Sequence, residues 1–293
     1  MDSSHFWYLE DIIDFAGTFP PAALDAATTL AEYQSKCEVP IVGNLAWKCA
    51  DLALITESNL PQDSVIEVAA IGRPRPDAQT WKAVFQQDMA DLQAFVDETP
   101  NGAIATYECR TTGIEDIASQ LGMLKPISKG VDVYLEVPWD HPLEPLLSAI
   151  AEQEGIRPKL RTGGLSAGDY PSAEALATFI TQCVDLELEF KLTAGLHSPI
   201  SHVDDGVLSF GFLNVLFATG IAYRDDATVS EVVKVLTATD HSEWRAKESL
   251  AFRGDELDSD DLDSARSFFG SFGCCSIDDP LTGMQALLKE TNQ

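Results

Sequence analysis

Runs of apolar and β-branched residues alternate with amphipathic stretches over most of the chain. Segments 41–45, 64–71, 103–111, 131–137, 158–161 and 190–193 read as strands. Between them, 47–57, 81–98, 114–121, 143–154 and 172–186 repeat their apolar positions with a helical period; in 81–98, Val84, Met89, Leu92, Phe95 and Val96 share one side. Ser172 is placed to cap the helix that begins at Ala173. About six strand–helix units with connections of this length imply parallel strands and right-handed crossovers. Six or more such units suit a closed (β/α)8-type TIM barrel better than an open sheet. After His197 the pattern blurs: 210–223 and 229–238 look helical, but their strands are short or absent. The barrel is therefore expected to be incomplete or irregular in its last strands. No change of composition marks a domain boundary, so the expectation is one barrel over 1–293 with an N-terminal arm over about 1–37. In that arm Phe19-Pro20-Pro21 is expected to cap the barrel bottom, or else to cross the mouth.

Side chains alternate across a strand, which divides each one into two faces. In 131–137, Val131, Val133, Leu135 and Val137 oppose Asp132, Tyr134 and Glu136. In 103–111, Ala105, Tyr107 and Cys109 oppose Thr106, Glu108 and Arg110. Leu160 opposes Lys159 and Arg161, and Leu192 opposes Lys191 and Thr193. The apolar face packs on helices, which sends Glu108, Glu136, Lys159, Arg161 and Lys191 into the barrel. Enclosed charges are costly unless paired, so both signs around one axis mark either a structural ion network or a site. Residues late in a strand stand at the C-terminal mouth, where barrel enzymes keep their chemistry.

Charge narrows the functional classes. Forty-seven acidic against nineteen basic residues give a formal net charge of −28. Such a surface repels nucleic-acid backbones and anionic lipid, so no nucleic-acid or membrane partner is expected; salt-adapted proteins tolerate such charge. The start of the chain has no basic segment before its apolar residues, which argues for a cytoplasmic protein. The six cysteines show neither paired nor zinc-type spacing and read as free thiols. No cofactor is implied, the expected partner is a small, anionic substrate, and the oligomeric state is left open.

Two segments match in form: Lys159-Leu160-Arg161-Thr162-Gly163-Gly164 and Lys191-Leu192-Thr193-Ala194-Gly195-Leu196-His197. Each opens with lysine and ends in a small-residue turn, where glycines let backbone N–H groups approach an anion. The pair resembles the last catalytic strands of the deoxyribose-phosphate aldolase family. That resemblance implies Lys159 as the imine-forming lysine and Lys191 as the neighbouring cation that depresses its pKa; for the family's aspartate it offers Asp132 or Glu108. Over nearly the whole chain the sequence is also similar to a family of uncharacterised bacterial proteins. The shared segments are 15–21, Arg161-Thr162-Gly163-Gly164, 193–197, 211–214 and 271–276.

These residues give a leading expectation of lyase chemistry on a small carbonyl or phosphorylated compound. Lys159, Lys191, Glu136, Glu108 and His197 are its catalytic candidates; Arg161, Arg110, Gly163, Gly164 and Asn214 its binding candidates. No metal is assigned. A rival reading makes the protein a metal-dependent isomerase or lyase, with Glu108, Glu136 and His197 around a divalent ion and His202, Asp204 and Asp205 close by. Another makes it a small-molecule binding protein on a degenerate barrel.

Overall fold

The computed structural model describes residues 6–60, 65–75 and 77–290. Met1–His5, Ser64 and Pro76, all part of the sequence reading, lie outside these residues. Eight parallel strands close a barrel: β1 (Ile13–Phe15), β2 (Val42–Lys48), β3 (Ile66–Ile71), β4 (Gly102–Arg110), β5 (Asp132–Val137), β6 (Ile156–Arg161), β7 (Phe190–Thr193) and β8 (Phe269–Cys274). They stand in chain order around the barrel, and β8 pairs with β1 to complete it. Helices α1 (Ala26–Lys36), α2 (Ala78–Glu98), α3 (Ile117–Leu124), α4 (Glu144–Ala151), α5 (Ala173–Asp185), α6 (Phe212–Asp225), α7 (Val229–Leu236), α8 (Ser259–Phe268) and α9 (Asp278–Glu290) form the rest of the frame. This is a (β/α)8 barrel. No helix among the described residues is long and apolar enough to cross a membrane.

Alternation does the positioning. Val133, Leu135 and Val137 are buried outward under the helices, while Glu136 and its counterparts on neighbouring strands turn inward. Ser172 caps its helix as expected, and Asp25, Asp77 and Asp258 likewise accept backbone N–H groups of the first turn. Around the barrel's closing seam, the stacked rings of Phe190 and Phe269 (5.6 Å), Phe269 and Phe272 (6.2 Å), and Phe272 and Phe212 (5.5 Å) tie β7 and β8 to α6. Helix α6 is buried at every position from Phe212 to Ala222, as a helix packed on several sides must be.

Three expectations change. The barrel is complete, not degenerate. Its blurred end reflects an excursion between β7 and β8, residues 194–268. That stretch holds α6, α7 and α8, a hairpin of His202–Asp204 with Val207–Ser209, and a three-stranded antiparallel sheet of Trp244–Ala246, Leu250–Phe252 and Asp255–Leu257. Segment 1–37 does not stand apart as an arm: it supplies β1, which pairs with both β2 and β8, and then α1. Segment 47–57 is not an α-helix, because Trp47 and Lys48 finish β2 and the chain then turns through 3-10 helices at Cys49–Leu54 and Glu57–Asn59. The Trp47 indole N–H donates to the Asp51 carbonyl at 2.9 Å and so fixes that turn. Strand end and tight turn together imitate helical spacing.

Candidate functional site

Register brings the charged residues together. Lys159 of β6 stands opposite Lys191 of β7 and opposite Glu136 of β5. Glu108 of β4 is level with Tyr134, one inward layer below Glu136. Lys159 Nζ reaches Glu108 Oε2 at 2.9 Å and Glu136 Oε2 at 3.3 Å. Lys191 Nζ reaches the other Glu108 oxygen at 3.1 Å, and Asp14 Oδ2 at 2.7 Å. Glu108 thus bridges the two lysines. Relative exposures of 4% for each lysine, 5% for Glu108 and 2% for Asp14 place the cluster inside the barrel. Thr106 Oγ1 donates to Glu108, Ser271 Oγ donates to Asp14 at 2.8 Å, and the Asn44 N–H donates to Asp14 Oδ1 at 3.1 Å. The Tyr134 ring lies under the Lys191 ammonium, 4.6 Å from its centroid.

These contacts set the protonation states. Burial by itself raises Glu108, but the Lys159 and Lys191 ammonium groups outweigh it and hold the carboxyl down at about 2. Burial likewise raises Glu136, and Lys159, Arg161 and Arg110 bring it below its ordinary value. Burial lowers Lys159, yet Glu108 and Glu136 leave it raised. Lys191 is raised against its burial by Asp14 and Glu108. The depression of Lys159 that the aldolase resemblance implies is therefore absent here. Two carboxylates stand closer to that amine than any uncompensated cation, and their attraction prevails.

The cluster opens on a cavity of about 840 Å³ at the C-terminal mouth. Asp14, Glu108, Glu136, Lys159, Lys191 and Arg161 all line it. Arg161, whose side chain is 41% exposed, meets Glu136 at 3.6 Å. His197, Cys275 and Asp279 form another part of its wall. Phe19, Pro20 and Pro21 also line this mouth, the second of their two expected places, and not the barrel bottom.

Several sequence candidates fall elsewhere. Asn214 is wholly buried; it accepts the Ser201 N–H at 2.8 Å and donates to the Val235 and Ala238 carbonyls. It pins the start of α6 to the loops around it and is no substrate contact. Arg110 is exposed at the end of β4, outside the cavity lining, and acts there only as a distant charge on Glu136. Gly163 does not line the cavity: a Cβ there would lie 2.7 Å from the Gly195 Cα. It serves the backbone packing of the two mouth turns, whereas Gly164 does line the cavity. Ala194 and Gly195 take positive φ values of 63° and 82° in that second turn. Asp132 begins β5 at the far end of the barrel, where it pairs with Arg157. Asp204 and Asp205 are exposed on the hairpin, and no group of three or more His, Cys, Asp or Glu side chains among the described residues is placed to hold a metal ion. Glu108 and Glu136, the carboxylates of the metal reading, are already paired with lysine.

Three residues escaped the sequence reading. Asp14 sits in a strand of three residues, too short for alternation to show. Cys275 shows no catalytic spacing, because its partner His197 lies 78 positions away, and Asp279 stands 82 positions from the same ring. All six cysteines are free, Cys37 exposed and the others buried. Comparison with known protein families, curated proteins and solved structures finds no match.

Proposed function

We propose that this protein is an enzyme of the lyase type that acts on a small, anionic carbonyl compound in the barrel mouth. One observation carries the reading: two buried ammonium groups share one carboxylate at the wall of a cavity large enough for a metabolite. Lys159 polarises the substrate carbonyl. An ammonium group in a site sheltered from water stabilises the negative charge that grows on that oxygen as an enolate forms. Glu136 is the carboxylate nearer the mouth and moves the proton to or from carbon. Glu108 positions the lysines, and Arg161, the most exposed of the three cations, takes the anionic group.

The aldolase resemblance supplies a second reading, favoured by Lys159 and Lys191 standing opposite on adjacent strands. In it, Lys159 first gives a proton to a neighbouring carboxylate, the neutral amine then attacks the carbonyl carbon, and the resulting carbinolamine loses its oxygen as water to leave the imine. A raised Lys159 beside a lowered Glu136 makes that transfer uphill, so the polarising role is preferred. The similarity to the bacterial family stands beside both readings and names no reaction.

The test is α-proton exchange in deuterated water, together with carbon–carbon cleavage, across a panel of phosphorylated aldehydes and 2-keto acids. Exchange or cleavage of one compound, lost in Glu136→Gln, is the expected result. Neither reaction with any member overturns the lyase reading. Borohydride added with the active compound then separates the two roles: a mass adduct on Lys159 shows the imine, and its absence leaves the polarising ammonium.

A further inference from the structure

The lysine chemistry leaves one wall of the cavity without a task. Cys275 follows β8 directly and lines the mouth. Its Sγ lies 3.7 Å from His197 Nε2, and His197 Nδ1 lies 3.0 Å from Asp279 Oδ2. The three groups come from three places: the end of β8, the turn after β7, and the first turn of α9. Thiol, imidazole and carboxylate in this order give a nucleophile a base within reach and give the base a group that fixes its ring.

The surroundings agree. Burial raises the Cys275 thiol, but His197 and the backbone N–H of Ala22 outweigh it and leave it below the usual thiol range. The sulfurs of Cys274 and Cys275, ahead of Asp279, push His197 up to about 11. Cys274 also comes within 3.7 Å of the ring, but its thiol donates to the Ser276 carbonyl at 3.0 Å and it does not line the cavity. Besides the lysine cluster, the cavity is also lined by the titratable Asp169, Tyr170 and His202, and Asp169 is held by the Ser166 N–H and hydroxyl.

We infer that the mouth holds a second reactive centre, in which Cys275 is a nucleophilic thiol, His197 its base and Asp279 the residue that orients the ring, and that it captures a small aldehyde as a thiohemiacetal. The Cys275 thiolate forms a carbon–sulfur bond to the carbonyl carbon. The π pair moves to oxygen, which takes the proton from His197 Nε2. The reverse step restores thiolate, imidazolium and aldehyde, and no further reactant is needed. The centre shares the cavity with the lysines but does not depend on the lyase reading.

Alkylation by iodoacetamide at pH 6, followed on the folded protein by peptide mass, tests it. The exposed Cys37 is the reference on the same chain. Cys275 is expected to react at least tenfold faster than Cys37. His197→Gln slows it at least tenfold with Cys37 unchanged, Asp279→Asn slows it severalfold, and glycolaldehyde protects Cys275 selectively. A Cys275 rate no faster than that of Cys37, or one unchanged in both a folded His197→Gln and a folded Asp279→Asn protein, overturns the nucleophile. Absence of protection by glycolaldehyde overturns the capture. The readout is alkylation and not turnover, so its failure leaves the lysine reading untouched.

Discussion

Strand β4 carries two buried ion clusters, one on each face. Inside the barrel, Glu108 holds Lys159 and Lys191. Outside, its neighbour Tyr107 donates to Asp88 Oδ2 at 3.0 Å under helix α2. Asp88, with no exposed side-chain surface, also takes Arg75 at 2.7 Å on that oxygen and Arg73 at 2.7 Å on the other. Arg75 lies over the Trp81 ring, 5.0 Å from its centroid. A Cβ at Gly72 would stand 2.9 Å from Asp88 Oδ2, so the loop closes tightly over the pair. Both clusters bear the desolvation of charge, but only the inner one faces open volume. The outer cluster meets solvent only through Arg73, and it holds the loop after β3 to α2. Burial of charge does not mark a site; burial beside a space that a ligand can enter does.

The contrast can be broken most forcefully at the outer cluster. Asp88→Ala strands the fully buried Arg75 guanidinium, while Arg73 keeps Asp91 at 2.6 Å, and is expected to lower unfolding stability by about 3–5 kcal/mol. Urea titration measures it, and a loss below about 1 kcal/mol would show that water enters there. Lys159→Met should act in the opposite sense. Glu108 keeps Lys191 and Glu136 keeps Arg161, so stability falls less than in Asp88→Ala, while turnover of an active compound falls at least a hundredfold, about 2.7 kcal/mol of barrel-mouth stabilisation. Equal turnover in the variant would assign the inner cluster to structure alone. The smallest effect is in acid. The folded-state pKa of Glu108 is depressed, so its stabilisation is present above the ordinary value of 4.5 and is lost as pH falls toward about 2. Across that window the wild type should lose about 2 kcal/mol more than Glu108→Gln, measured by thermal unfolding at stepped pH. Parallel acid limbs in the two proteins would mean that the lysines do not hold this carboxylate.

The sequence made the inner cluster legible because alternation needs no partner. Once 131–137 and 103–111 are read as strands, Glu136 and Glu108 fall opposite the apolar face, and Lys159 and Lys191 follow at one strand-to-strand interval. The outer cluster was hidden, since Asp88 on an amphipathic helix looks like any solvated acid and its arginines sit in a loop. Strand β1 was hidden by its length, and with it Asp14. Strand β8 has two glycines and a serine among six residues, which weakens any strand pattern. Asn214 was misjudged for a related reason: a polar residue near a helix start reads alike whether it faces a ligand or three backbone groups. Cys275, His197 and Asp279 meet only through the closure of the fold.

That closure has a consequence for how the molecule is made. Asp14 comes from the first strand and Ser271 from the last, and their side chains meet only when these two strands pair. During synthesis, Lys191 therefore emerges long before the serine that completes its surroundings, and the excursion over 194–268 lengthens the wait. Until β8 arrives, β1 and β7 each present an unpaired edge, a state prone to association with other chains. The pocket is therefore complete only once β8 is in place, and a nascent chain halted before Phe269 carries the lysines without it.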